Sequence, residues 1–328
     1  MQKPVKIEIS SKTIIFTVLF LVFLKFLWIV RDLLFSLLIA FIIMSAARPA
    51  VLYLEKKKIP RSVSAVVLFI LFLVFIVYIL MGTINPIVYE TSQLIKSLPI
   101  ILYQINPSLA GELNFNSLSQ YIPNLTNQAS KIAGAVFSNI IFLFSTLFFG
   151  LYFSIEENLI KKLLMRFFDE KKAERVALIF EKVEKRLSAW FWGELVLMLV
   201  VGILTFIGLN LIGLKYTIPL AIIAGLLEVV PNLGPIISTV PAILVALTQN
   251  YFLTPVVIAL YFIIQQLENN LIVPWVMKKA VNINPILTLV ALMVGGKIGG
   301  ILGVLLAIPI TLFIETVLVE IFQTKNNN

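Results

Sequence analysis

Apolar runs of about twenty residues recur along this chain at 13–30, 33–53, 62–82, 134–155, 191–212 and 252–273. A helix rises about 1.5 Å per residue, so each run matches the roughly 30 Å hydrocarbon core of a bilayer. Backbone surrounded by lipid must satisfy its own hydrogen bonds, and an unbroken run of this length does so as a helix. Composition agrees: 60% of residues are hydrophobic, 13% are charged and the mean hydropathy is +1.02. Soluble domains carry about 25% charged residues. The expected fold class is an all-α polytopic membrane protein.

Two absences narrow the chemistry. The chain has no cysteine and no histidine, which removes disulfides, thiol nucleophiles, Ser-His-Asp triads and His- or Cys-based metal and haem sites. A metal or proton would have to be held by carboxylates, amides or carbonyls. An intramembrane hydrolase would need its nucleophile and base built without histidine, and no G-x-x-x-x-G-K-[ST] loop supports an ATP-driven pump. The reading is therefore not an enzyme, with no cofactor and energy drawn from an ion or solute gradient. The net charge of +9 could suggest nucleic acid, but the basic residues cluster in short loops beside apolar runs, as in a cytoplasmic membrane face.

Those loops set the expected topology. Residues 48–61 hold Arg48, Lys56, Lys57, Lys58 and Arg61 against Glu55 alone, and Lys278 and Lys279 follow the sixth run. Both segments should be cytoplasmic, with both termini inside. The first run follows Lys3, Lys6 and Lys12 but has no small-residue cleavage site after it, so it is expected to be a retained helix. The chain divides into a hairpin and third span (1–82), an external helical segment (83–133), a fourth span (134–155), a charged cytoplasmic segment (156–190) and a C-terminal transport region (191–328). In the charged segment Val176, Phe180, Val183, Leu187 and Trp190 recur at three- and four-residue steps, which predicts an amphipathic helix. It either packs on its own protein or membrane surface, or docks a partner.

Two later segments break the pattern. Residues 218–249 are interrupted by Pro231, Asn232, Gly234 and Pro235, leaving limbs at 218–230 and 236–249. At about 20 Å each, neither limb crosses the core, and a re-entrant helical hairpin fits best. Its irregular tip needs cover from protein or a watery cavity. The second break lies after Asn284-Pro285, at GGKIGG, where Gly295, Gly296, Lys297, Gly299 and Gly300 stand in otherwise apolar sequence. A second hairpin with Lys297 at a wet turn competes here with one tilted helix. The expected total is about six full transmembrane helices plus one or two such hairpins. Interrupted segments of this kind point to a transport site.

Ionisable and amide groups have the same address. Glu228 precedes Pro231 by three residues, and Gln265, Glu268 and Asn269 share a helix face, with Gln266 and Asn270 beside them. A carboxylate inside a span costs about 2.5–3.5 kcal/mol on insertion scales and faces a bundle interior or aqueous cavity. Glu228 is the candidate proton or cation site; the alternative is that these groups only bond neighbouring helices. Glu194, Glu315 and Glu320 read as interfacial, near span ends.

At these residues the chain resembles the autoinducer-2 exporter family, also described as PerM-like permeases. The resemblance rests on EVVPNLGPIISTVPAILVAL, QQLENNLIVPWVMKKAVNINPILTLVALMVGG and GGILGVLLAIP, in that order, and is close over 190–309. It implies a bacterial or archaeal multi-pass cell-membrane protein with seven or eight spans. It implies a secondary transporter, exporting a small solute such as autoinducer-2 or exchanging cations such as sodium for protons. One departure is Gly193-Glu194, where many relatives have Gly-Gln. Hairpin tips and the glycine pairs Gly295/Gly299, Gly296/Gly300 and Gly299/Gly303 call for close packing, which predicts a homo-oligomer through the C-terminal half. The resemblance implies the same, with a pentamer as one form. A non-transporting scaffold that recruits a partner through its cytoplasmic helix is the alternative from a different functional class.

Overall fold

A computed structural model describes residues 11–75, 77–78, 140–156, 159–230, 233–277 and 284–326. The expected external segment, 83–133, and Lys278-Lys279 lie outside the described residues. Every element among the described residues is helical, and the protein is an all-α polytopic membrane protein.

Helix α1, Ser11–Ile29, is apolar on all sides and exposes Phe16, Leu19, Phe23 and Ile29, as a helix solvated by lipid does. Helix α2, Arg31–Lys56, is more deeply packed and buries Ala40, Phe41, Ser45 and Val51. It is followed by α3, Arg61–Phe75, and meets α4, Ile140–Ile155. Small and hydroxyl side chains bring these helices together. Ser36 Oγ and Thr146 Oγ1 share a 2.8 Å hydrogen bond, and a Cβ on Gly150 would stand 2.9 Å from the Phe69 ring and 3.3 Å from Ala40 O. Without a hydrophobic drive between helices in lipid, such close contact and polar linkage supply the association. Arg61 Nε donates to Ser154 O at 2.8 Å, tying the start of α3 to the end of α4.

After the short α5, Leu159–Leu164, one continuous helix, α6, spans Glu170–Leu211. The expected amphipathic helix and fifth span are therefore a single rod, because no proline interrupts them and Gly193 is compensated by good helix formers on either side. At 42 residues it is about 63 Å long, roughly twice the hydrocarbon thickness. Its charged half has its apolar stripe covered by this chain: Val183, Leu187 and Trp190 are buried with Phe41 and Leu312. Phe41, Phe180 and Phe313 meet edge to face. Around that core Arg186 reaches Glu315 at 3.0 Å and Thr316 at 2.8 Å, and Lys182 reaches Glu320 at 2.6 Å.

The broken segment after α6 forms a helical hairpin of α7, Thr217–Leu227, and α8, Leu233–Gln249. The limbs are shifted from their expected limits, and Gly234 and Pro235 fall in the first turn of α8, where a proline is tolerated. Pro231 and Asn232 lie outside the described residues. Gln249 closes the base of the hairpin: its Oε1 accepts Lys215 N at 2.8 Å and its Nε2 donates to Gly213 O at 2.7 Å. Gly225 lets α7 lie directly on α6, since a Cβ there would be 2.6 Å from Met198 O.

The sixth run is α9, Leu253–Leu267, a π-helical turn at Glu268–Ile272 and α10, Val273–Met277. The last element, α11, covers Pro285–Asn326 and contains one residue with non-helical dihedrals, Gly300, at φ 58° and ψ −137°. A Cβ on Gly303 would lie 1.9 Å from Gly295 O, and one on Gly295 would lie 3.4 Å from Ala307 Cβ. In a straight helix residues 295 and 307 would be about 18 Å apart. The chain folds back at Gly300, so 285–299 and 301–326 are two limbs. This decides between the two expectations for GGKIGG in favour of the hairpin shape, with Lys297 exposed beside the turn.

Candidate functional site

Glu228 caps the end of α7. Its N–H still bonds Ala224 O at 3.2 Å, while Val229 and Val230 turn back to Leu226 O and Leu227 O in tighter three-residue steps. Gly234 then passes so close that a Cβ would sit 2.1 Å from Leu227 O. The glycine is needed for this approach, and the approach fixes where Glu228 stands. Pro235 acts on the other limb, where its carbonyl accepts Ser238 Oγ at 3.0 Å and Thr239 Oγ1 at 2.6 Å.

Glu268 owes its position to the π-turn. Pro274 has no N–H for the carbonyl of Asn270, and its ring crowds that carbonyl, so the preceding turn widens. With the helix widened there, Glu268 is buried while Asn269, Asn270 and Gln266 remain exposed. Of the expected polar face, the structure therefore brings Gln265 and Glu268 together, with Gln265 Nε2 donating to Glu268 Oε2 at 3.3 Å. It leaves the two asparagines outside.

Glu228 and Glu268 stand close enough across the gap between the hairpin and the π-turn to act on each other electrostatically. They are 1% and 2% exposed. A third carboxylate joins them. Glu194 on α6 is 3% exposed and within electrostatic reach of both. Its place is set by Gly193, whose missing side chain admits Met277 of α10, with Sδ 2.8 Å from where a Cβ would be. Glu194, expected to be interfacial near a span end, is buried among the protein's own helices. Its distance along the run placed it near a span end, but α6 continues past that end and the residue faces inward. The Gly-Glu pair was the available signal.

The cluster offers acceptors with few donors. Both oxygens of Glu194, Oε2 of Glu228 and Oε1 of Gln265 are buried without a hydrogen-bond partner, and no lysine or arginine pairs with the three carboxylates among the described residues. Neighbouring buried carboxylates with no cation beside them repel one another when charged, so the cluster is suited to hold a proton. A metal ion is a poorer fit: among the described residues no group of three or more Asp or Glu side chains comes close enough to hold one. The other expected set, Gly295 to Gly300, packs elsewhere. Ile298 O accepts Arg31 Nη1 at 3.3 Å and Gly299 lies against Phe35, at the start of α2.

The comparisons with known proteins agree with a membrane transporter. The chain is 24% identical over 352 aligned residues to the "Putative transport protein YrrI" of Bacillus subtilis (strain 168), with all of both chains covered. It is 28% identical over 327 residues to the "Putative transport protein YueF" of the same organism, covering 92% of this chain and 88% of the relative. A shorter stretch of 142 residues, 43% of this chain and 40% of the relative, is 30% identical to the "Putative permease PerM" of Escherichia coli (strain K12). The family model described as "AI-2E family transporter" matches residues 14–323, and with that match running almost from end to end, the chain belongs to the AI-2E transporter family.

Proposed function

We propose that this membrane transporter is a secondary transporter coupled to protons, with the Glu228–Glu268 pair as the proton site and Glu194 as the third ionisable member. The observation that carries the reading is the meeting of three buried carboxylates where one helix is broken and another is widened. Each such group is expensive in a membrane and is retained where it handles charge. Interrupted helices at mid-membrane are the usual setting of transporter sites.

The unpartnered atoms are all acceptors, which supports a proton as the coupling ion; what moves against it is a cation or a small solute such as autoinducer-2. The remaining features of the reading are re-entrant hairpins at 217–249 and 285–326, cytoplasmic termini, and a homo-oligomer that covers the hairpin tips. The scaffold alternative has lost the apolar face it relied on, since α2 and α11 occupy the stripe on the charged half of α6. The experiment is proton flux in liposomes at matched reconstitution, measured against pH with sodium and potassium gradients in turn. Glu228→Gln should abolish proton movement that the wild type shows. Identical flux in the two proteins returns Glu228 to a purely structural role.

A further inference from the structure

Besides the oxygens of Glu194, four buried polar atoms on α6 and α9 have no hydrogen-bond partner among the described residues: Thr205 Oγ1, Thr254 Oγ1, Tyr261 Oη and Gln265 Oε1. Their positions follow the helix repeat. On α9, Thr254, Tyr261 and Glu268 are seven residues apart and so share one face, and Gln265 stands one turn from Tyr261. On α6, Thr205 follows Glu194 by eleven residues, three turns, and shares its face.

The two helices lie against each other in opposite directions. Gly193 admits Met277, and Gly208 admits Leu260, whose Cδ1 is 2.5 Å from where a Cβ would stand. With residue 193 beside 277 and residue 208 beside 260, Thr205 is level with the turn between Tyr261 and Gln265. These are costly places for hydroxyl groups. Thr205 is 0% exposed, and Tyr261, 5% exposed, packs with Leu209, Ala224 and Val257. Valine and phenylalanine would fill the same space with nothing left unbonded. Buried polar groups that lack a protein partner are met by ordered water, which bonds several of them at once.

We infer that Thr254, Tyr261, Gln265 and Thr205 hold a narrow file of water that leads from the base of the 217–249 hairpin to the three carboxylates, with Tyr261 passing protons along it. From Thr254 to Glu268 the file covers about 21 Å, roughly two-thirds of the hydrocarbon core. Its far end opens beside Lys215, Gln249 and Asn250, all exposed at the hairpin base. A hydroxyl both donates and accepts, so it hands a proton on and keeps no charge. Use of the file by protons rests on the reading of the cluster proposed above, whereas its water rests on the arrangement of the side chains.

Two measurements separate these parts. The first needs no transport. Thr205→Cys, Thr254→Cys and Ala242→Cys are made singly in this cysteine-free chain, Ala242 being a fully buried member of the same apolar cluster on α8. Reconstituted protein is treated with silver ion, which travels in water and bonds thiols, then denatured and labelled with a maleimide that is counted by mass spectrometry. Silver should block labelling at 254 first and at 205 next, and leave 242 labelled. Position 205 no more reactive than 242, or 205 blocked before 254, overturns the file. The second is proton flux in Tyr261→Phe. Loss of the relay hydroxyl should slow flux about tenfold, one hydrogen bond's worth, while thermal stability holds or rises because an unbonded buried group is gone. Flux equal to the parent removes Tyr261 from the path. The silver pattern decides the water file even if Glu228→Gln leaves flux intact, so failure of the proton reading is told apart from failure of the file.

Discussion

Replacing Gly303 by alanine probes the fold-back at Gly300 directly. The added methyl would sit 1.9 Å from Gly295 O, where ordinary contact begins near 3.4 Å, so the limbs must part by about 1.5 Å or bend. The obstacle is backbone and cannot rotate away, which sets the cost at the upper part of the overpacking range, about 2–3 kcal/mol. Gly296→Ala is the control, because its methyl meets only Val304 Cγ2 at 3.2 Å, and the gain in helix propensity of up to about 1 kcal/mol offsets the squeeze. Gly300→Ala meets no atom within 4 Å but inherits φ 58° and ψ −137°, a strain of about 1–3 kcal/mol. Thermal unfolding in lipid nanodiscs should give Gly303→Ala as a clear loss of Tm, Gly300→Ala as a loss, and Gly296→Ala near the parent. Spin labels on Leu289→Cys and Ile314→Cys, both exposed in a chain without native cysteine, report the shape. The hairpin puts them about 10–15 Å apart, and a straight helix would put them about 37 Å apart. An unperturbed Gly303→Ala together with the long distance would refute the fold-back.

Four further outcomes are expected. Glu228→Gln preserves volume and keeps a polar group beside Glu268, so stability changes by less than about 1 kcal/mol while proton-coupled flux in liposomes is lost; Glu320→Gln, at the surface pair with Lys182, leaves flux intact. Arg48→Met strands Glu184 and lowers stability by about 2–4 kcal/mol in thermal unfolding, below the full cost of a buried pair because Arg48 is itself 35% exposed. Burial holds the Glu184 carboxyl above the usual carboxylate value of 4.5, against the pull of Arg48. The folded state therefore keeps this proton after the unfolded chain has released it, and stability falls as pH rises from about 4.5 through the raised value; Glu184→Gln should remove that slope in unfolding measured against pH. Lys57→Cys should resist an impermeant thiol reagent applied to intact cells, and ready labelling from outside would reverse the proposed orientation.

Length and apolarity made α1, α2, α4 and the membrane half of α6 legible from sequence, because lipid imposes one period and one length on every span. The two broken segments were also visible, since proline and glycine leave few ways to continue a helix. The limits were harder: Pro235 reads as a breaker, yet within a first turn its missing N–H costs nothing, and α8 begins two residues before it. The π-turn was hidden because Pro274 acts one turn upstream, and its effect is to separate Glu268 from Asn269 and Asn270. Glu194 escaped because its inward direction depends on which helix α10 lies against. That contact is set by Gly193 and Met277, some eighty residues apart in the chain.

The unbroken run of α6 has a mechanical consequence. Its far half lies under α7 through Gly202 and Gly225 and carries Glu194, while its near half is fastened to the outgoing limb of α11 by Arg186 and Lys182. A helix without proline or a widened turn bends only gently, so it acts as a shaft with one hairpin mounted at each end. Any tilt of the first hairpin during a transport cycle swings the other end of the shaft by an amount set by the lever length. The two hairpins are thereby geared to each other, although no hydrogen bond or ion pair joins them among the described residues.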